Sequence, residues 1–92
     1  MLISVQAGNS DNKLTQQEWS KFVRRVGEVL NAYEKARHFF GGSETYAPWQ
    51  NVCWICEIDP ANLEIIKAGL TDIRTLYHQD SVCLLAGEAQ FI

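Results

Sequence analysis

The sequence predicts an α+β fold in the order βαββαβ, a four-stranded antiparallel sheet with two helices on one face. Three observations carry that reading. Residues 2–7 alternate apolar and polar side chains, the period of a half-buried strand. Two later segments repeat apolar residues at three-and-four spacing, and each opens on a residue suited to cap a helix. Short apolar or aromatic runs at 36–40, 52–58 and 81–86 complete the set of four strands.

In the first strand Ile3, Val5 and Ala7 share one face and Ser4 and Gln6 the other. Gly8-Asn9-Ser10-Asp11-Asn12 is a dense turn signal that ends it. Thr15 then reads as an N-cap with Glu18 three residues on, the capping-box spacing, and Leu14 and Trp19 stand where a hydrophobic staple forms. The stripe Trp19, Phe22, Val23, Val26, Leu30 and Tyr33 runs down the helix, while Lys21, Arg24, Arg25 and Glu28 take the wet side. Gly27 costs this helix up to about 1 kcal/mol relative to alanine, which points to another backbone passing close to it. Residues 36–40 form a short aromatic strand, and 41–50 form a loop longer than the two to five residues usual for a hairpin. After the strand at 52–58, Asp59 caps a second helix with Pro60 at its first position. Leu63, Ile66, Leu70, Ile73 and Tyr77 make its buried stripe, widened by Ile65 and Leu76. His78-Gln79-Asp80 turns the chain into the last strand, Gly87 interrupts that strand, and residues 88–92 trail behind. This succession is the split-βαβ, or ferredoxin-like, arrangement.

The 92 residues and 10.4 kDa provide one core, so a single domain over 1–92 is expected. With 47% hydrophobic and 21% charged residues the composition is that of a globular chain, not a disordered one. No apolar run approaches the roughly 18 residues of a membrane span, and residues 1–6 lack the basic region of a secretory signal. A cytoplasmic protein with no membrane partner is the expectation. The formal charge is −3, and Lys21, Arg24 and Arg25 are the one tight basic cluster, so the sequence disfavours nucleic acid as a partner. Cys53, Cys56 and Cys83 are odd in number, which argues against a disulfide scaffold. Cys53 and Cys56 match C-x-x-C, but on a strand their sulfurs point to opposite faces and no second ligand pair accompanies them. All three read as small buried hydrophobes; neither metal nor cofactor is expected.

The strand at 52–58 places Val52, Trp54, Cys56 and Ile58 on one face and Cys53 and Ile55 on the other. The last strand repeats the pattern, with Val82, Leu84 and Ala86 against Cys83 and Leu85. Strands apolar on both sides need a cover on both, and two helices supply only one. A second copy of the chain, the 41–50 loop folding back through Tyr46 or Trp49, or a different protein would supply the other. Were Trp54 and its neighbours bare, the patch would mark an interaction site. The candidate interaction residues are therefore Glu44, Tyr46 and Trp49 on the long loop, Trp54 and Cys56 on the sheet, and Phe91 in the tail.

No nucleophile accompanies His38 or His78 in the sequence, and His78 suits the favourable end of the second helix dipole. Turn chemistry accounts for Asn9 and Asp11, with a bound cation or a cap on the helix region as the other readings. Over most of the chain the element order is similar to that of small ferredoxin-fold nucleases such as the Cas2 and VapD families. Those nucleases carry an acidic residue at the end of the first strand, where this sequence has Ala7-Gly8-Asn9 and reaches Asp11 only beyond the turn, so no catalytic residue carries over. The function expected is that of a small acidic, non-enzymatic interaction module. It would be a homodimer that binds and inhibits or regulates another, basic protein in the manner of inhibitors and immunity proteins. The alternative is a dimeric ferredoxin-fold ligand-binding protein or small enzyme, with a pocket between Trp54 and His38 or Glu57.

Overall fold

The computed structural model of the chain describes residues 1–9, 13–44 and 50–92. Strand β1 spans Leu2–Gly8, helix α1 Gln16–Tyr33, strand β2 Glu34–Gly42 and strand β3 Asn51–Ile58. A short 3-10 turn, Pro60–Asn62, leads into helix α2, Leu63–Leu76, and strand β4 is Cys83–Gly87. The strands form one antiparallel sheet in the order β2-β3-β1-β4, so the fold is the α+β, ferredoxin-like βαββαβ arrangement that the sequence predicts.

The helix starts follow the sequence signals. At α1 the Thr15 hydroxyl accepts from the Glu18 N–H at 3.2 Å, and the Glu18 carboxylate accepts from the Thr15 N–H at 3.0 Å, a complete capping box. Leu14, just before the cap, is buried. A buried Asn9 clasps it there: the Asn9 amide donates to the Leu14 carbonyl at 3.0 Å and accepts from the Leu14 N–H at 3.1 Å. Asn9 therefore serves the entry to α1 and is not a free turn residue. Asp59 accepts from the Ala61 N–H at 3.0 Å and opens the 3-10 turn that precedes α2. Helix α2 closes on a left-handed residue, His78 at φ 56°. The His78 N–H reaches the Thr75 carbonyl and the Gln79 N–H the Arg74 carbonyl, the two bonds of a Schellman motif. His78 thus caps the helix through its backbone.

Phe22, Val26 and Leu30 from α1 and Ile66, Leu70 and Ile73 from α2 press onto Ile3, Val5, Ala7, Val52, Trp54, Cys56 and Ile58 of the sheet. Trp54 is the largest fully buried side chain. It sits against Gly27, where an added Cβ would lie 3.7 Å from the indole nitrogen, so an indole and not a backbone approaches this glycine.

Both ends of β2 and both ends of β4 differ from the sequence expectation. Strand β2 follows α1 without a turn, because Glu34 is extended at φ −74° while its N–H still reaches the Leu30 carbonyl. It also runs through Gly41 and Gly42 instead of ending before them. A Cβ at Gly42 would collide with the Asn51 carbonyl, so this glycine permits close pairing with β3 and does not mark a turn. Strand β4 starts at Cys83, not Ser81, and includes Gly87 as its last residue.

The capping box also sets a pH dependence. The Thr15 N–H, and after it the Thr15 hydroxyl, hold the Glu18 carboxyl below its ordinary 4.5. A depressed folded-state value stabilises fully above the unfolded value and is lost as pH falls through the folded one. Glu18→Gln keeps the box geometry and removes the titration. The fall in urea midpoint between about pH 6 and about pH 3 should be smaller in Glu18→Gln than in the parent chain. Equal falls would contradict the assignment.

Candidate interaction surface

The helices cover one side of the sheet, and strand register defines the other. Directly opposed residues share a face, so Phe39, Ile55, Ser4 and Leu85 form one row across all four strands. A second row holds Gly41, Cys53, Gln6 and Cys83. Phe39 is 49% exposed and Leu85 58%, while Ile55 and Cys53 are half-buried. The polar members of these rows bond within the face: the Gln6 amide donates to the Ser4 hydroxyl at 3.3 Å, and that hydroxyl lies 3.6 Å from the Cys53 sulfur. His38 Nε2 stands 3.5 Å from Glu57 Oε1 on the same side. Each side chain of that pair is 48% exposed, so it is a solvated surface pair worth under about 1 kcal/mol.

Where the open face meets the end of the sheet, a cleft of about 710 Å³ is lined by Gln6, Cys53 and Cys83 from the face and by Ser43, Asn51 and Ser81 from the adjoining segments. Its surroundings are rich in amides. Gln16 and the buried Gln50 exchange reciprocal amide bonds at 3.0 and 2.8 Å. The Asn51 N–H donates to the Ser43 hydroxyl at 2.9 Å. A spread of Asn, Gln and Ser through turn-rich segments gave no spacing by which the sequence could mark this cleft.

The structure corrects two of the expected interaction residues. Trp54 is 1% exposed and Cys56 is fully buried, both beneath the helices, so neither is on the surface. The reason is the sense of the β3 alternation: Val52, Trp54, Cys56 and Ile58 take the covered side and leave Cys53 and Ile55 on the open one. A pocket between Trp54 and His38 or Glu57 is excluded by the same alternation, since Trp54 and Glu57 lie on opposite faces. Glu44 is exposed and Phe91 is 93% exposed. Tyr46, Trp49 and Asp11 lie outside the described residues. Phe39 and Leu85, which sequence reasoning did not single out, belong to the open row. Leu85 could have been found from its place opposite the Leu84 face, but Phe39 required the register of an irregular strand.

The cysteines divide three ways: Cys56 is buried, Cys53 half-buried and Cys83 exposed, so the reading of all three as buried holds for Cys56 alone. Burial first, and then a hydrogen bond to the Glu34 carboxylate, push the Cys56 thiol up to about 12. Among the described residues no helix is long and apolar enough to cross a membrane, and no group of three His, Cys, Asp or Glu side chains converges on a metal position.

Comparison of the chain with protein-family models, with curated proteins and with solved structures finds no match to any of them. The similarity to small ferredoxin-fold nucleases therefore rests on element order alone. At the end of β1, where those enzymes are acidic, both ends of the Asn9 amide are engaged by Leu14.

Thiolate is the reactive form of cysteine. At about pH 8 a maleimide should label Cys83 in the native chain and leave Cys56 untouched until urea unfolds it. Native labelling of Cys56 at the rate of Cys83 would contradict the burial described here.

Proposed function

We propose that this chain is a non-enzymatic interaction module, a homodimer that binds and blocks another protein through the open side of its sheet. The observation that carries the reading is the row Phe39, Ile55, Ser4 and Leu85, which leaves two large apolar side chains about half bare on a sheet with no helix above them. Exposed apolar groups gathered on one surface mark protein contact sites. Large aromatic and aliphatic side chains set around a polar centre of Ser4 and Gln6, with the His38–Glu57 pair at the border, make a mixed patch of the kind found at protein contacts. The net charge of −3 suits a basic partner, since complementary fields speed encounter and suppress wrong partners. The cytoplasm is the compartment that agrees with three unpaired cysteines.

A second reading draws on the cleft beside Gln6, Cys53 and Cys83, whose polar lining includes the Asp80 carboxylate, paired with Lys13 at 3.1 Å, and suits a small polar ligand. A ligand at 100-fold its dissociation constant adds about 2.7 kcal/mol of stability, so a thermal-shift screen against metabolites reads it directly.

Replacing Ile55 by Glu places a charge at the centre of the open row and leaves the covered core intact. Chemical cross-linking of the parent chain in extract of its own cells should trap a basic protein that Ile55→Glu loses, with binding weakened on the order of tenfold or more. Equal capture by both forms, or capture by neither, would overturn the interaction reading.

A further inference from the structure

The two edges of the sheet are built differently. Strand β2 carries Lys35, Arg37 and His38 and breaks register with β3 twice, between Glu34 and Ala36 and between Arg37 and Phe39. Charges and bulges of this kind stop an edge from pairing with another chain. Strand β4 has none of these devices. Its sequence is Cys83-Leu84-Leu85-Ala86-Gly87, it holds register with β1 from Leu2↔Gly87 to Gln6↔Cys83, and all but Leu84 are exposed. At Gly87, two residues beyond Leu85 and on the same face, an added Cβ would meet nothing within 4 Å, so the open side is bare at this end of the strand.

We infer that two copies join edge to edge along β4, antiparallel about a twofold axis at Leu85, into one eight-stranded sheet. The inference rests on the homodimer reading above and gives that dimer its geometry. Leu85 then faces the partner's Leu85, the two open rows become continuous, and Gly87 lies opposite the partner's Cys83. Beyond β4, Phe91 and Ile92 are 93% and 119% exposed, without cover on their own chain. In this register the tail continues along the partner and brings Phe91 level with the partner's Gln79, at the mouth of its cleft. A paired strip of about nine residues at about 3.3 Å each and about 10 Å thick, with an aromatic worth about 150–250 Å² and Ile92 beside it, buries on the order of 500–600 Å² per protomer. That meets the roughly 500 Å² per partner of the smallest specific interfaces. The open face stays free for a further protein.

Leu85→Lys and Leu85→Glu set like charges against each other at the axis, a destabilising pair, and opposite charges when the two variants meet. Light scattering at about 100 µM, well above a micromolar dissociation constant, should give a dimer for the parent chain, a monomer for each variant alone and a dimer for their equimolar mixture. Circular dichroism confirms that each variant is folded. A parent chain that stays monomeric overturns both the edge pairing and the homodimer reading. A parent dimer indifferent to both Leu85→Lys and Leu85→Glu overturns the edge pairing alone.

Discussion

The alternation of β3 governs the rest of the molecule. A strand turns successive side chains to opposite faces, so seating Trp54 under the helices commits Val52, Cys56 and Ile58 to the core and Cys53, Ile55 and Glu57 to the open side. Strand β1 pairs with β3 from Leu2↔Glu57 to Gly8↔Asn51, which delivers Ile3, Val5 and Ala7 to the same core. The helices then have one apolar floor to cover, and Phe22, Val26 and Leu30 with Ile66, Leu70 and Ile73 cover it. A one-residue slip of β3 would exchange Trp54 for Ile55 and leave a cavity in the core and an indole in water.

Local chemistry was the most legible part of the sequence. Thr15 and Glu18 announce α1, Asp59 and Pro60 announce the second helix three residues early by opening the 3-10 turn before it, and the buried stripes fall where helical spacing assigns them except at Ile65 and Leu76, which are exposed. These signals are short-range, and nothing distant overrides them. Which side of β3 faces the helices was not legible. Both sides are apolar, and a period of two is indifferent to which half of it is buried; volume decides, because the indole fills the space left beside Gly27. Gly41 and Gly42 resembled a turn because their role depends on Asn51 and on the Phe39 ring, residues set by pairing. Asn9 resembled turn chemistry for a similar reason: its amide serves Leu14, five residues away, and that bond exists only once the chain has closed back on itself.

The surface divides in keeping with this arrangement. The open face retains Phe39, Ile55 and Leu85 around a polar centre of Ser4 and Gln6, bonded among themselves and to Cys53. The end of the sheet is organised by amides instead, Asn9 on Leu14 and Gln16 on Gln50. An apolar face thus stands beside a polar, amide-rich end of the sheet. The thiol most enclosed by charge, Cys56, is held protonated by burial and by Glu34, which removes it from nucleophilic work.

The sidedness of β3 is tested most directly by urea unfolding of two neighbouring variants, Trp54→Ala and Ile55→Ser. With Trp54 in the core and Ile55 on the open face, Trp54→Ala should cost about 3–5 kcal/mol and Ile55→Ser less than about 1.5 kcal/mol. Comparable losses at both positions, or a larger loss at Ile55, would contradict the account.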